Sequence, residues 1–230
     1  MFKRVLIANR GEIAIRTARA AAALGIETVG VYSSADALAL HTRITTESRM
    51  LDGRESGSSD PLRAYLDIDA LIALAKASRC DCIHPGYGFL SENAGFAQRC
   101  AEEGITFIGP HSATLALFGD KTRARALARS LGIAIISGSS GVVPNPDEAA
   151  AIAQAVGYPV MLKAAAGGGG RGMRVVTDPA EMAAAFTRCK SEAQAAFGDD
   201  SLFVEKQLGR PRHIEVQILA DIHRNVIHLY

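Results

Sequence analysis

The chain has 230 residues, 48% hydrophobic and 21% charged, enough for one or two globular domains with cores of their own. Lys and Arg number 25 against 24 Asp and Glu, a formal charge of +1, so no overall bias points to nucleic acid or to an acidic membrane surface. No apolar run approaches the roughly 18 residues of a membrane span. Met1-Phe-Lys-Arg leads into only Val5 to Ala8 before Arg10 and Glu12, so no signal peptide is expected and the protein is read as soluble and cytoplasmic.

Arg4 to Ala8 is a short apolar run of the kind buried on both faces of a sheet. Asn9-Arg-Gly11 turns the chain, Glu12 to Leu24 has helical spacing, Gly25 stands where a C-terminal cap belongs, and Glu27 to Tyr32 reads as the next strand. This β-α-β start predicts a parallel sheet. Met50 and Leu51 are expected in a short strand, Gly53 to Pro61 in a loop, Ile68 to Ser78 in a helix, and Cys82 to His84 in a strand. Glu92 to Glu103 and Thr106 to Pro110 complete a doubly wound domain of residues 1–111.

Residues 112–230 are expected to form an α+β domain. Leu115 to Leu131 is helical with an interruption at Gly119-Asp-Lys-Thr122, Gly132 to Ile136 reads as a strand, and Ser137 to Pro146 as a loop. Asp147 to Val156 is a helix ended by Gly157. Val160 to Val176 reads as a hairpin, Asp178-Pro179 opens a helix reaching Lys190 or Phe197, and Leu202 to Glu205 is a strand. His213 to Leu219 alternates, with Ile214, Val216 and Ile218 on one side and His213, Glu215 and Gln217 on the other. Asp221 to Asn225 is a hairpin turn before a strand from Val226 to Tyr230.

The hairpin carries the strongest chemical signal. Lys163 ends an apolar run, and Gly167, Gly168, Gly169 and Gly170 precede Arg171. Consecutive glycines let successive N–H groups face an anion. The loop is therefore a phosphate clamp or a plain flexible connection. It is not a Walker A loop, because its lysine precedes the glycines and a strand follows. In open sheets ligands meet loops after the strands, which singles out Asn9 to Glu12 and His84 to Asn93. Ser91 and Glu92 suit a helix cap. Tyr87, between two glycines, has its phenol open to a ligand. Lys121 with Arg123, Arg125 and Arg129 reads either as a functional cluster or as a solvated helix face. The row His213, Glu215, Gln217 suits a solvent face or the wall of a site. Cys80 and Cys82 form C-x-C with no second pair at zinc spacing. With Cys100 and Cys189 they are read as buried free thiols, and no metal ligands are assigned in this chain.

Taken in order, Ala8-Asn-Arg-Gly-Glu-Ile-Ala14, His84 to Asn93, Phe107-Ile-Gly-Pro110, Gly119-Asp-Lys121, Gly157-Tyr-Pro-Val160, Lys163 through Met173, Glu205-Lys206 and Pro211 to Gln217 resemble the first half of a biotin carboxylase. This is the ATP-grasp unit of acyl-CoA (acetyl-, propionyl-, methylcrotonyl-) and pyruvate carboxylases. The resemblance implies a Rossmann-like first domain and a partial ATP-grasp domain, with a small lid over about 132–203 and the start of the second half at 204–230. It implies that bicarbonate attacks the γ-phosphate of MgATP and that the carboxyl group of carboxyphosphate passes to N1′ of biotin. By similarity Lys121, Lys163, Gly167 to Gly170, Glu205, Lys206, Gln207, Leu208 and His213 contact ATP, and Tyr87 and Glu92 lie near biotin. The implied partners are a biotin carboxyl carrier and a carboxyltransferase, with a homodimer in the complete enzyme.

Residues 41–60 fit the family loosely. The family's acidic Mg²⁺ ligands and its bicarbonate-binding and catalytic residues are expected beyond Tyr230. Two other readings compete: a binding or interaction module without chemistry, and another ATP-grasp ligase such as a carbamoyl-phosphate synthetase. The His84 to Asn93 loop and Pro211-Arg-His213 argue against the latter. Without Mg²⁺ ligands the γ-phosphate charge is not neutralised. The 230-residue chain alone is therefore expected to show no appreciable bicarbonate-dependent ATP cleavage with free biotin, a measurement in which clear turnover overturns the expectation.

Overall fold

The structure is a computed structural model that describes residues 2–51, 62–166 and 172–229. The chain divides into two compact units, Met1–Ala124 and Arg125–Tyr230.

In the first unit β1 (Arg4–Ile7), β2 (Glu27–Tyr32), β3 (Glu47–Met50), β4 (Cys82–His84) and β5 (Thr106–Phe107) form one parallel sheet in the order β3-β2-β1-β4-β5. The helices are α1 (Gly11–Ala23), α2 (His41–Ile44), α3 (Ile68–Ala77), α4 (Ala94–Glu102), α5 (Ser112–Gly119) and α6 (Lys121–Ser130), the last running on into the second unit. Alternation along the central strands fills two cores. Leu6, Val29, Val31 and Ile83 pack with Tyr65, Leu71 and Phe96, whereas Val5, Ile7 and Cys82 pack with Ala14, Ala18 and Ala21 of α1. The alanines let α1 lie close to the sheet. This is the doubly wound architecture expected from the sequence.

Local expectations need adjusting in three places here. The strand expected at Met50 and Leu51 begins earlier, at Glu47, behind the short α2, while the loop expected from Gly53 to Pro61 falls outside the described residues. The helix expected from Glu92 starts at Ala94, because Asn93 rather than Ser91 supplies the cap, its Oδ1 accepting from Phe96 N–H at 2.8 Å. The stretch from Leu115 to Leu131 is two helices, since Asp120 leaves helical geometry and its carboxylate accepts from the N–H groups of Thr122 and Arg123 at the start of α6.

In the second unit α7 (Pro146–Val156), β6 (Val160–Ala164), β7 (Met173–Val176), α8 (Met182–Phe197) and β8 (Leu202–Lys206) form an antiparallel sheet, β7-β6-β8, with both helices on one face. Asn145 caps α7 and Gly198, at φ +71°, ends α8. A separate hairpin joins β9 (Ile218–Ala220) and β10 (Val226–His228) across an Asp221-centred turn.

Two strand assignments fail here. Gly132 to Ile136 is not a strand, and Ile133 is 57% exposed. The free edge of β8 is taken by the next segment, read from sequence as loop. Ser139 N–H donates to Val204 O at 2.8 Å, Val143 N–H to Leu202 O at 2.7 Å, and Lys206 N–H to Ser137 O at 2.8 Å. The reason is Gly138. A Cβ there would stand 2.1 Å from Val204 O, so only glycine lets the two backbones approach. β-propensity in the isoleucines yields to a site where pairing is sterically possible. Likewise His213 to Leu219 forms a strand only from Ile218. Ile214 and Val216 are exposed along with the polar residues they alternate with. Period-two alternation makes no strand without a neighbouring ladder.

Gly138→Ala is expected to destabilise the second unit by about 1–3 kcal/mol, seen as a lower urea midpoint at unchanged slope. Gly141→Ala is the control, because nothing lies within 4 Å of the place its new methyl would occupy, and a loss as large as that at Gly138 would refute the steric account.

Candidate functional site

The antiparallel register sorts the second unit's sheet into an oily and an ionic face. Val160, Leu162, Ala164, Leu202 and Val204 point to the core under α7 and α8. Their alternates Met161, Lys163, Phe203 and Glu205 share the opposite face, with Lys163 directly opposite Phe203 and Met161 opposite Glu205. Lys163 and Glu205 are thus diagonal neighbours, within reach of a long side chain. Lys163 Nζ donates to Glu205 Oε2 at 2.6 Å. Arg125 of α6 donates through Nη1 to the other oxygen, Oε1, and through Nη2 to Ile136 O at 2.9 Å. Its guanidinium also stands over the Phe203 ring, 5.7 Å from the centroid.

The side chains of Arg125 and Glu205 are only 12% and 8% exposed, against 23% for Lys163. Two cations on one carboxylate leave one positive charge in excess on a poorly hydrated face, where Coulomb attraction for an anion is stronger than in water. Half-exposed Met173 and Val175, opposite Lys163 and Met161 on β7, add apolar surface beside it.

Lys163 leads toward the glycine loop. Gly167 to Gly170 and Arg171 lie outside the described residues. The loop's far stem is fixed at Gly172, whose carbonyl accepts from Ala164 N–H at 2.8 Å and from the Cys189 thiol at 3.0 Å. Burial pushes the Cys189 thiol up to about 11, keeping it a donor at neutral pH. Cys80, Cys82 and Cys100 are likewise buried and free.

The other ATP candidates separate from this cluster. Lys206 alternates to the opposite face, and its Nζ donates to Gly157 O and Tyr158 O, both at 2.9 Å. Gln207 N–H donates to Pro159 O at 3.2 Å, and Leu208 is 50% exposed. His213 is fully in solvent with Glu215 at 3.7 Å, away from the expected strand wall. Lys121 is the first residue of α6, one helical turn before Arg125. Arg125 does not stand out from its basic neighbours in the sequence. Its signal lies in the fold, which turns this position of α6 toward β8.

In the first unit the loops after β1 and β4 meet where the strand order reverses, between those two strands. Asn9 is fully buried and stitches them together, its Nδ2 donating to Pro85 O at 2.8 Å and Tyr87 O at 3.0 Å. Gly86 must be glycine, since it holds φ +67° and a Cβ would meet Asn9 and Ile13 at 2.6 Å. His84 Nδ1 accepts from Gly86 N–H at 2.9 Å, and burial holds its pKa below the ordinary value, so it stays neutral. Tyr87 itself is 67% exposed, its hydroxyl 3.5 Å from Glu12, and Glu92 is exposed. The ring stands at the rim of a cavity of about 490 Å³ lined by Ile13, Leu24, Ile26 and Ile108.

Arg10 is ion-paired and partly exposed. It pairs with Asp36, which also accepts from the Tyr65 hydroxyl at 2.6 Å. The hydrogen bond from Arg10 holds the Asp36 carboxyl below the usual carboxylate range against the opposing effect of burial. Among the described residues no group of three or more His, Cys, Asp or Glu could hold a metal ion. Glu205 is already engaged by two cations, so this cluster does not fit Mg²⁺.

Two protein families match the chain, one in each half. The biotin carboxylase N-terminal domain profile matches residues 1–115, and the ATP-binding domain of the carbamoyl-phosphate synthase L chain matches residues 120–230. Pyruvate carboxylase of Bacillus subtilis is 50% identical over 229 residues, covering 99% of this chain and 20% of that protein. A biotin carboxylase complex from Campylobacter jejuni superposes with a TM-score of 0.93 at 44% identity, covering 99% of this chain and 50% of that one. The biotin carboxylase domain of Hydrogenobacter thermophilus 2-oxoglutarate carboxylase, crystallised with MgADP, ADP and bicarbonate, gives the same TM-score and identity over 100% of this chain and 49% of its own. The chain thus spans half or less of the length of these relatives.

Burial, followed by the bond to Asp36, pushes the Tyr65 hydroxyl up to about 12 from its ordinary 10.0. The folded state then holds this proton more tightly than the unfolded chain. Its stabilisation is complete below about pH 10 and is lost as pH rises toward 12. Tyr65→Phe is expected to be less stable at pH 8 but to show a shallower fall in urea-unfolding free energy between pH 10 and 12; an unchanged slope would contradict the assignment.

Proposed function

The chain belongs to the biotin carboxylase family, and we propose that it binds ATP for the carboxylation of carrier-bound biotin by bicarbonate. The observation that carries the proposal is the Arg125–Glu205–Lys163 cluster, one positive charge in excess on the ionic face of the hairpin that leads into Gly167–Gly170. Phosphoryl transfer depends on positive charge and N–H donors arranged around the phosphates. In this reading Lys163 contacts phosphate oxygens, with Lys121 as a second lysine, and the glycines close over them. Glu205 fixes Lys163, and the backbone from Glu205 to Leu208 lies against the adenosine with His213. Half-exposed Met173 and Val175 offer the base an apolar neighbour. Bicarbonate attacks the γ-phosphate to form carboxyphosphate and release ADP, and the carboxyl group then passes to N1′ of biotin with release of phosphate. Tyr87 and Glu92 belong to the biotin side.

The same reading divides the chain into a first domain at 1–111 and an ATP-grasp portion at 112–230, with a lid over about 132–203. It includes a carrier, a carboxyltransferase, a homodimer and a cytoplasmic location. Among final acceptors, the relatives described support a 2-oxo acid such as pyruvate or 2-oxoglutarate over an acyl-CoA. A nucleotide-binding module without chemistry is the competing reading, and bicarbonate-dependent ATP cleavage after joining the chain to the remaining half of a related biotin carboxylase separates the two.

Lys163→Met is expected to lower ATP affinity by at least about tenfold, measured by titration calorimetry well below the variant's thermal midpoint, which loss of one partner of the buried Glu205 also lowers. Equal affinity in both proteins would remove Lys163 from the phosphate site.

A further inference from the structure

We propose that Arg125 is a positioning residue for the nucleotide polyphosphate, acting by competing with Lys163 for the Glu205 carboxylate. The inference rests on the ATP reading above and deepens it. Glu205 has two oxygens and gives one to each cation, Oε1 to Arg125 and Oε2 to Lys163. Were Glu205 paired with Lys163 alone, the two charges would cancel and the ionic face would be electrically neutral. The added guanidinium restores one positive charge. It does so from a side chain only 12% exposed, while Lys163 is the more open of the two cations at 23%. The excess charge is therefore presented to a ligand through Lys163 and supplied from behind by Arg125.

The surroundings hold Arg125 to this task. Its Nη2 donates to Ile136 O at 2.9 Å, and its guanidinium lies over Phe203, the residue directly opposite Lys163 in the sheet. The planar fork divides its donors between a carboxylate and a carbonyl, which an ammonium does less well. A second role follows from the same contacts, since the Ile136 bond anchors the segment that runs on to Gly138 along β8. The two roles make different demands on a variant: anchoring needs a hydrogen-bond donor, and polyphosphate binding needs the charge.

Arg125→Gln separates them, because its amide can still donate to Ile136 O while the charge is gone. Binding of ATP, ADP, AMP and adenosine to the 230-residue chain is measured by calorimetry, with thermal melting as the folding control. We expect a loss graded by phosphate number, roughly tenfold for ATP and none for adenosine. Arg125→Lys is expected to retain most of the preference for ATP over AMP. Uniform weakening across the four ligands would show Arg125 to be only an anchor and overturn the proposal. Wild-type protein that binds none of the four would overturn the ATP reading itself, and this inference with it.

Discussion

The buried carboxylate of Glu205 sets the arrangement of the second unit. A carboxylate removed from water costs several kcal/mol unless cations and donors surround it. Glu205 is satisfied by a lysine from the neighbouring strand and an arginine from a helix, and the arginine also holds the carbonyl of Ile136. One charge thereby joins α6, β6, β8 and the segment after α6. The pleat makes this possible, since the residues between these polar positions all point into the core beneath α7 and α8. A sheet with one oily face and one ionic face carries its charge in fixed positions rather than on mobile side chains.

In the first unit the corresponding constraint is neutral. Asn9 lies at the reversal of strand order and devotes its amide to the carbonyls of Pro85 and Tyr87. Buried carbonyls need such partners, and here the partner fixes a loop that a doubly wound sheet would otherwise leave free. Arg10, in the same loop, is bound to Asp36. Tyr87, held at its backbone and open at its ring, is what the loop presents.

The parallel sheet, both helical layers and the glycine hairpin were legible because each is written in local period and punctuation. Lys163 and Glu205 were legible as candidates by their motifs. Arg125 was not, because four basic residues in one helix look alike until a neighbouring strand selects one turn of it. The run from Gly132 to Ile136 misled for a related reason. Its isoleucines favour extended backbone, but pairing went to the glycine-bearing segment beyond, which alone could reach β8. His213 misled because its alternating segment has no ladder to turn alternation into faces.

What the sequence by itself determined was the order of elements, the family resemblance and the chemical types available: a lysine before glycines, a glutamate at a strand end, an asparagine after the first strand. These follow from short-range spacing, which any reader of the chain can count. What only the tertiary structure decided was which charges share one carboxylate, which arginine is buried, and which glycine carries the close approach. Those depend on strand register and on the rotation of α6 about its axis, and both are set by contacts between residues up to 80 positions apart.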